Sequence, residues 1–251
     1  MTAPANPADY RAIWEAKPVL RAVYRDWYER MVSHCLPGRT LEIGGGSGNL
    51  KAFAPDVVST DVLPADWLDT VCDAQRLPFA DGSFDNIVML DVLHHLERPV
   101  RFFDEASRVL KPGGRIVMLE PGITPVSHIF YRSFHPEPVD MAVDPYVDGP
   151  IDPDKDPYDS NQAIPTLLFG KPHDRQAFER RFEGLAAIRT ERLALLIYPL
   201  SGGFRTWSLV PASMVRPRSN KARYTRLSFL FFTAKCTKFR RSNALFRFRF
   251  V

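Results

Sequence analysis

The sequence predicts a doubly wound, mainly parallel α/β sheet, and three observations carry that expectation. Between about residues 40 and 122, short apolar or β-branched runs alternate with amphipathic stretches, the pattern of repeated βαβ units. One run, FDNIVML at Phe84–Leu90, is apolar nearly throughout, as suits a strand covered on both faces. A glycine cluster, in TLEIGGGSGN at Thr40–Asn49, follows the first run directly. In open parallel sheets, ligands collect just beyond such strand ends.

Taken in order, Ile13, Val19, Leu20, Val23, Trp27 and Met31 recur at intervals near three and four, predicting a helix over Tyr10–Cys35. Leu36-Pro37-Gly38 ends it. TLEI is the first strand, and Asn49–Phe53 opens a short helix. VVSTDV, closed by Asp61, is the second strand, DTVCDA a weak third and FDNIVML the fourth. In ERPVRFFDEASRVLKPGG, Val100, Phe103, Ala106 and Leu110 mark the apolar face of a helix that Pro112-Gly113-Gly114 breaks. RIVMLEPG is the fifth strand. Residues 122–175 then read as a long irregular insertion with a helix around His128–Phe134. A helix near Asp174–Phe182, a strand near Leu193–Tyr198 and a turn at SGGF follow. Either LSFLFF or the alternating ALFRFRF supplies a closing edge strand, the latter fitting a period of two better.

Hydrophobic residues make up 45% of the 251 positions and charged ones 25%, a balance that excludes a disordered chain. Cys35, Cys72 and Cys236 are scattered and lack C-x-x-C spacing, which argues against a disulfide framework or a zinc site. No apolar stretch approaches the ~18 residues of a bilayer span, and the N-terminus lacks a signal-like apolar core; a cytoplasmic protein is expected. Charge is unevenly placed. From Pro136 to Ser160 there are eight acids and six prolines against one lysine, and from Met214 to Val251 eleven Lys or Arg and no acid. A solvated face is the ordinary explanation of such a tail; peripheral contact with an anionic membrane through its interleaved phenylalanines is the functional one, and nucleic acid is the less favoured partner.

The glycine loop decides between ligands. A dinucleotide fingerprint beginning at Gly44 needs glycine at position 49, where Asn49 stands, and no Gly-Lys-Ser/Thr follows to make a P-loop. What fits is acid-x-G-x-G-x-G: Glu42, Gly44, Gly46 and Gly48. A carboxylate ahead of the glycines repels a pyrophosphate and suits a cation. Asp61 ends the second strand, where an acid commonly receives both ribose hydroxyls of an adenosine.

With those residues in place, the chain resembles the class I S-adenosylmethionine-dependent methyltransferases, in particular the type 11 group that includes the ubiquinone/menaquinone-biosynthesis enzymes. Five ordered blocks within about residues 38–122 carry the resemblance: LEIGGGSGN, STDVLP, CDAQRLPFADGSFD, NIVMLDVLHHLERP and VLKPGGRIVMLEPG. It implies a Rossmann-like fold with an inserted acceptor-side segment, S-adenosyl-L-methionine as cofactor, and a set of cofactor contacts: Glu42, Gly44, Gly45, Gly46 and Gly48 in the loop, Asp61 and Val62 at the ribose, Asp73 and Ala74 at the adenine, Leu90 and Asp91 at the methionine part. Asp91 is equally suited to cap the next turn. The corresponding organisation is an N-terminal helical segment (1–37), a cofactor core (38–122), an acceptor-side insertion (123–182) and C-terminal strands with a basic tail (183–251).

Methyl transfer from a sulfonium is an in-line displacement in which the protein mainly positions the acceptor; a base is needed only where the acceptor must lose a proton, and histidine is the commonest choice. His135 and His95 are the catalytic candidates, with His94 and His128 behind them, and no metal is called for. Phe130, Tyr131, Phe134, Tyr146, Phe204 and Trp207 are aromatic residues suited to an acceptor wall. The expected acceptor is a small or lipid-linked molecule methylated on oxygen or carbon. The basic tail alone suggests RNA or protein as the alternative, against which MLDVLHH carries no Asn-Pro-Pro-Tyr-like signature. A non-catalytic scaffold that binds the cofactor is the other reading.

Overall fold

A computed structural model describes residues 6–134, 137–194, 197–214 and 228–237. Seven strands form one sheet in the order β3-β2-β1-β4-β5-β7-β6. These are β1 (Thr40–Ile43), β2 (Val58–Asp61), β3 (Thr70–Val71), β4 (Phe84–Leu90), β5 (Leu110–Gly122), β6 (Leu185–Ala194) and β7 (Ser228–Cys236). Strands β3, β2, β1, β4 and β5 pair in parallel, whereas β7 runs antiparallel to both β5 and β6. The strand order reverses at β1 and β4, so their carboxyl ends border the crevice where open sheets take ligands.

Side-chain alternation in the central strands produces two cores. On β5, Ile116 and Met118 pack into one and Val117 and Leu119 into the other; on β4, Ile87 and Met89 are separated from Val88 in the same way. The first core is covered by α3 (Pro99–Val109), α5 (Ile164–Phe169) and α6 (Pro172–Arg181), through Phe102, Phe103, Phe169 and Phe178. The second is covered by α2 (Pro18–Ser33), through Leu20, Val23, Trp27 and Met31. A strand buried on both faces reads as a continuous apolar run, as Ile87–Leu90 does; the buried Asn86 is paired through its side chain with the Leu36 backbone and Thr40 Oγ1.

Three expectations change. The N-terminal helix is two helices, α1 (Pro7–Ala16) and α2, because Pro18 has no N–H to continue the ladder and Lys17 adopts extended φ/ψ ahead of it. The strand expected at Leu193–Tyr198 lies earlier, as β6, and Ile197–Ser201 is the short helix α7. β6 is an edge strand, so Arg189 and Glu191 suit it, and the apolar run beyond it did not mark the strand. Ser228–Phe232 of LSFLFF open β7, which is interior: Phe231 and Phe232 enter opposite cores. ALFRFRF lies outside the described residues.

The acidic insertion is largely irregular after α4 (Pro125–Phe134), and its acids make turns. Asp140, Asp144, Asp152 and Asp156 each accept, through Oδ1, the backbone N–H two residues on, at 2.8–2.9 Å, the Asx-turn bond that replaces regular structure. The SGGF turn is present, with Gly202 and Gly203 at φ of 79° and 52°. The three cysteines are free. Among the described residues, no helix is long and apolar enough to cross a membrane.

Candidate cofactor and acceptor cleft

A cleft of about 940 Å³ opens above the carboxyl ends of β1, β2 and β4, at the upper end of the range for small-molecule sites. Its floor contains Glu42, Gly44, Gly45, Gly46, Asp61, Val62, Asp73, Ala74, Leu90 and Asp91. Of the cofactor contacts expected from the sequence, only Gly48 is not on this wall.

The glycines differ in what they make room for. A Cβ on Gly44 would lie 2.2 Å from Val92, one on Gly45 2.3 Å from Ser59 Oγ, and one on Gly48 2.4 Å from the Trp67 ring. Those three positions are filled by the protein itself. At Gly46 (φ +47) the nearest atom to a Cβ would be the Gly44 carbonyl oxygen at 3.9 Å, so this glycine leaves space open to the cleft. The loop is pinned on both sides. Asp61 Oδ2 accepts the Gly46 N–H at 2.8 Å, its Oδ1 accepts the Leu63 N–H at 2.9 Å, and Trp67 Nε1–H donates to the Gly46 carbonyl at 2.8 Å. Trp67 in turn lies under the Arg11 guanidinium at 4.6 Å, a cation–π contact from α1. Asp73 Oδ1 accepts the Gln75 N–H at 2.8 Å, shaping the Asp73–Ala74 corner.

Two carboxyls in the floor are held near neutrality. Glu42 is 5% exposed and accepts a 2.5 Å hydrogen bond from Ser59 Oγ; burial, only partly offset by that bond, pushes its pKa up to about 7. Asp91 is also raised to about 7 by burial, against the pull of His94. It is the one described non-glycine residue with positive φ (61°), a conformation that Asp tolerates better than most. Asp91 does not cap the turn that follows. Glu120, at the end of β5, does so from across the sheet: its Oε1 accepts both the Val92 and Leu93 N–H groups at 2.9 Å.

Glu120 Oε2 also meets His94 Nδ1 at 2.9 Å, and His94 Nε2 lies 3.5 Å from Glu137 Oε2. Burial alone would lower the His94 pKa, but the two carboxylates outweigh it and hold it at about 10, so this imidazolium is a fixed structural cation. His95 is its opposite. Burial, then the positive charge of His94, push its pKa down to about 3. It lines the cleft, the Asp159 backbone lies beside the ring, and Nδ1 is buried without a hydrogen-bond partner. A neutral ring donating from Nε2 keeps a lone pair on Nδ1. His94, His95 and Glu137 offer ligand atoms within 4.8 Å of one another, as do Asp91, His94 and Glu120; in both sets His94 already engages carboxylates at its two nitrogens. His135 lies outside the described residues, and His128 does not line the cleft.

The far wall is aromatic. Tyr10, Tyr24, Tyr28, Tyr131, Tyr158 and Tyr198 line it together with Phe204 and Trp207. Tyr10 packs edge-on against Phe204 at 4.9 Å between centroids and stacks with Tyr158 at 6.1 Å. Burial raises the hydroxyl pKa of Tyr10 to about 12 and those of Tyr24, Tyr28 and Tyr198 well above their ordinary value, so these phenols stay protonated. Of the aromatic residues expected from the sequence, Tyr131, Phe204 and Trp207 are here. Tyr146 packs against the first core instead, and the Phe130 and Phe134 side chains are outside the described set. One unexpected residue fastens this wall. The Lys17 ammonium, at the α1–α2 junction, donates to the carbonyls of Gly203, Arg205 and Trp207 at 2.7, 2.7 and 2.9 Å. Its only sequence signal was a lysine–proline pair where two helical runs meet; Glu120's was a single acid inside an apolar strand.

Comparison with known proteins agrees with this geometry. Residues 41–118 match the family model described as "Methyltransferase domain". The chain is 31% identical to the ubiquinone/menaquinone biosynthesis C-methyltransferase UbiE of Roseobacter denitrificans, over 39% of this chain and 49% of that protein. It is 33% identical to the protein of the same description from Bordetella parapertussis, over 45% and 48%. The match thus spans about half the length of these relatives. Among solved structures, a SAM-dependent methyltransferase from Thermotoga maritima aligns over 90% of this chain and 93% of its own, with a TM-score of 0.56 at 16% identity, a likeness of fold.

Proposed function

Residues 41–118 being a class I S-adenosylmethionine-dependent methyltransferase domain of type 11, we propose that this chain transfers a methyl group to a hydroxyl or carbon of a small or lipid-linked acceptor. The observation that carries the reading is the opening at Gly46, the one loop glycine whose missing Cβ is replaced by cleft rather than by protein. The cradle suits S-adenosylmethionine. The Asp61 carboxylate has lone pairs to spare for ribose hydroxyls beyond the two N–H bonds it makes. Asp73 and Ala74 stand at the adenine edge. Glu42 and Asp91 offer negative charge to the ammonium and sulfonium of the methionine part. When bound, the cofactor supplies an electrophilic methyl on a charged sulfur.

The protein's share is positioning and water exclusion, and the aromatic wall serves both. His95 Nδ1 accepts a hydrogen bond from the acceptor's hydroxyl and aims the oxygen. With a pKa near 3 it is a weak base that holds the proton only in passing; the final acceptor is the Glu137 carboxylate, which lines the same cleft and has an oxygen within 4.8 Å of a His95 ring nitrogen. Weak bases serve acceptors that ionise readily, such as phenols and enols, better than aliphatic alcohols. That preference, the ring-lined wall and the quinone-pathway names of the curated relatives point the same way.

Calorimetry with S-adenosylmethionine and S-adenosylhomocysteine tests the first step: both bind a folded sample, and absence of heat for either ends the reading. Incubation with methyl-labelled cofactor and cell extract tests the second. Label is expected in the organic-solvent or small-molecule fraction; label confined to RNA or protein would overturn the acceptor class.

A further inference from the structure

The mouth of the cleft carries large apolar side chains turned partly to solvent. Leu200, Trp207 and Leu209 line the cleft and are 40%, 37% and 73% exposed, and Arg205 stands exposed among them. Lysine 17 holds the backbone of this stretch from within at residues 203, 205 and 207. The apolar tips are therefore presented by an anchored segment. A tryptophan and leucines beside a cation are the composition of interfacial membrane contacts, in which the indole sits at headgroup level and the aliphatic tips enter the acyl boundary. The charge on this part of the chain has one sign. Residues 215–227, joined to the segment through Ala212–Met214, contain five Lys or Arg and no acid, and each basic residue near an anionic surface adds to attachment.

We propose that residues 200–209 form a docking surface for an anionic lipid bilayer, seating the open mouth of the cleft against the membrane. It deepens the acceptor reading above, since a lipid-linked acceptor would then enter from the bilayer without crossing water.

The full-length protein, free of cofactor, is mixed with phosphatidylcholine vesicles containing about a third phosphatidylglycerol and separated by flotation. The wild type is expected to float with these vesicles and to be only partly released by salt, because the apolar contacts are insensitive to screening. The double variant Trp207→Asp/Leu209→Asp is expected to lose at least about tenfold in retention. If that variant melts early, the milder Leu209→Ser and quenching by brominated lipid, which Trp207→Phe should abolish, read the same contact. Wild type that stays in solution at low salt, or a folded double variant retained like wild type, overturns the proposal. So does a concentration-dependent dimer that the double variant dissolves while neither form binds vesicles, which would assign the patch to self-association. Cofactor calorimetry on the same sample keeps the two failures apart: heat without flotation rejects the docking surface, and flotation without heat rejects the enzyme reading.

Discussion

The two walls of the cleft are built on different principles. The cofactor-side wall is backbone and short side chains set at strand ends, with neighbours close in sequence: Asp61 reaches Gly46 across fifteen positions and Trp67 reaches it across twenty-one. The acceptor-side wall is assembled from α1, α2, α4, the insertion and α7, and its fastening, Lys17 to Gly203, spans 186 positions. A wall made locally at a sheet's switch point can keep one ligand while the rest of the chain changes. A wall made of distant aromatic side chains can be refitted to a new acceptor without disturbing the first.

The sharpest break in that contrast is Gly46→Val. A Cβ there enters open cleft, so cofactor binding should vanish in calorimetry, while the thermal midpoint falls only by the backbone strain of a β-branched residue at φ +47. Gly48→Val should do the reverse in kind, lowering the midpoint first, because its Cβ meets Trp67 at 2.4 Å. Next is Glu137→Gln. If this carboxylate takes the proton, kcat should fall by about 10²–10⁴-fold with cofactor affinity little changed; an effect on cofactor Kd alone would place Glu137 on the wrong wall. Asp61→Ala should weaken cofactor binding by roughly 1.5–3 kcal/mol, through lost charge-assisted bonds and a loosened loop, and titration of the variant measures it. Lys17→Met should raise the acceptor KM and cost about 1–3 kcal/mol of stability, since three carbonyls lose their donor, with cofactor affinity near that of wild type.

The smallest effect is in pH. Glu42 and Asp91, raised to about 7, are largely neutral at pH 6 and ionised at pH 8. A cationic cofactor should therefore bind up to about tenfold more tightly per group at pH 8, with proton release near pH 7, and Glu42→Gln should flatten its share. The free protein behaves oppositely. A carboxyl whose folded pKa lies above its unfolded value near 4.5 contributes stability below pH 4.5, and loses it as pH rises to about 7. Melting of the free protein at pH 6 and 8 checks the sign: the cofactor-free form should be the less stable at pH 8.

The same contrast sets what the sequence could disclose. β1, β2, β4, α3 and the glycine loop were legible because each rests on local periodicity or on a spacing such as Glu42 to Asp61. The split at Pro18 had a local signal, the proline itself, outweighed by the apolar periodicity on either side; the placement of β6 and the interior position of β7 were missed because edge and centre are properties of the sheet, and a run of apolar letters does not state its neighbours. In the site, Glu120 and Lys17 escaped for a related reason. A lone acid in an apolar strand and a lone lysine at a helix junction acquire roles only when distant backbone arrives to be capped. The acids of the insertion looked like a charge feature, and half of the eight in 136–160 are turn makers, a distinction carried by the recurring fourth-residue spacing of Asp140, Asp144, Asp148, Asp152 and Asp156.

The lysine at the α1–α2 junction bears also on traffic. Tyr10 packs edge-on against Phe204 of the Gly203–Trp207 stretch on one wall of the cleft, and Lys17, at the end of the helix that carries Tyr10, holds that stretch through three bonds. Drawing that stretch away from the α1–α2 junction means breaking three bonds to a single ammonium, whereas moving the two as one body breaks none. Cofactor exchange should then have the character of a hinge swinging as a unit, slow and single-exponential, and Lys17→Met should convert it into faster, independent fraying of the two edges.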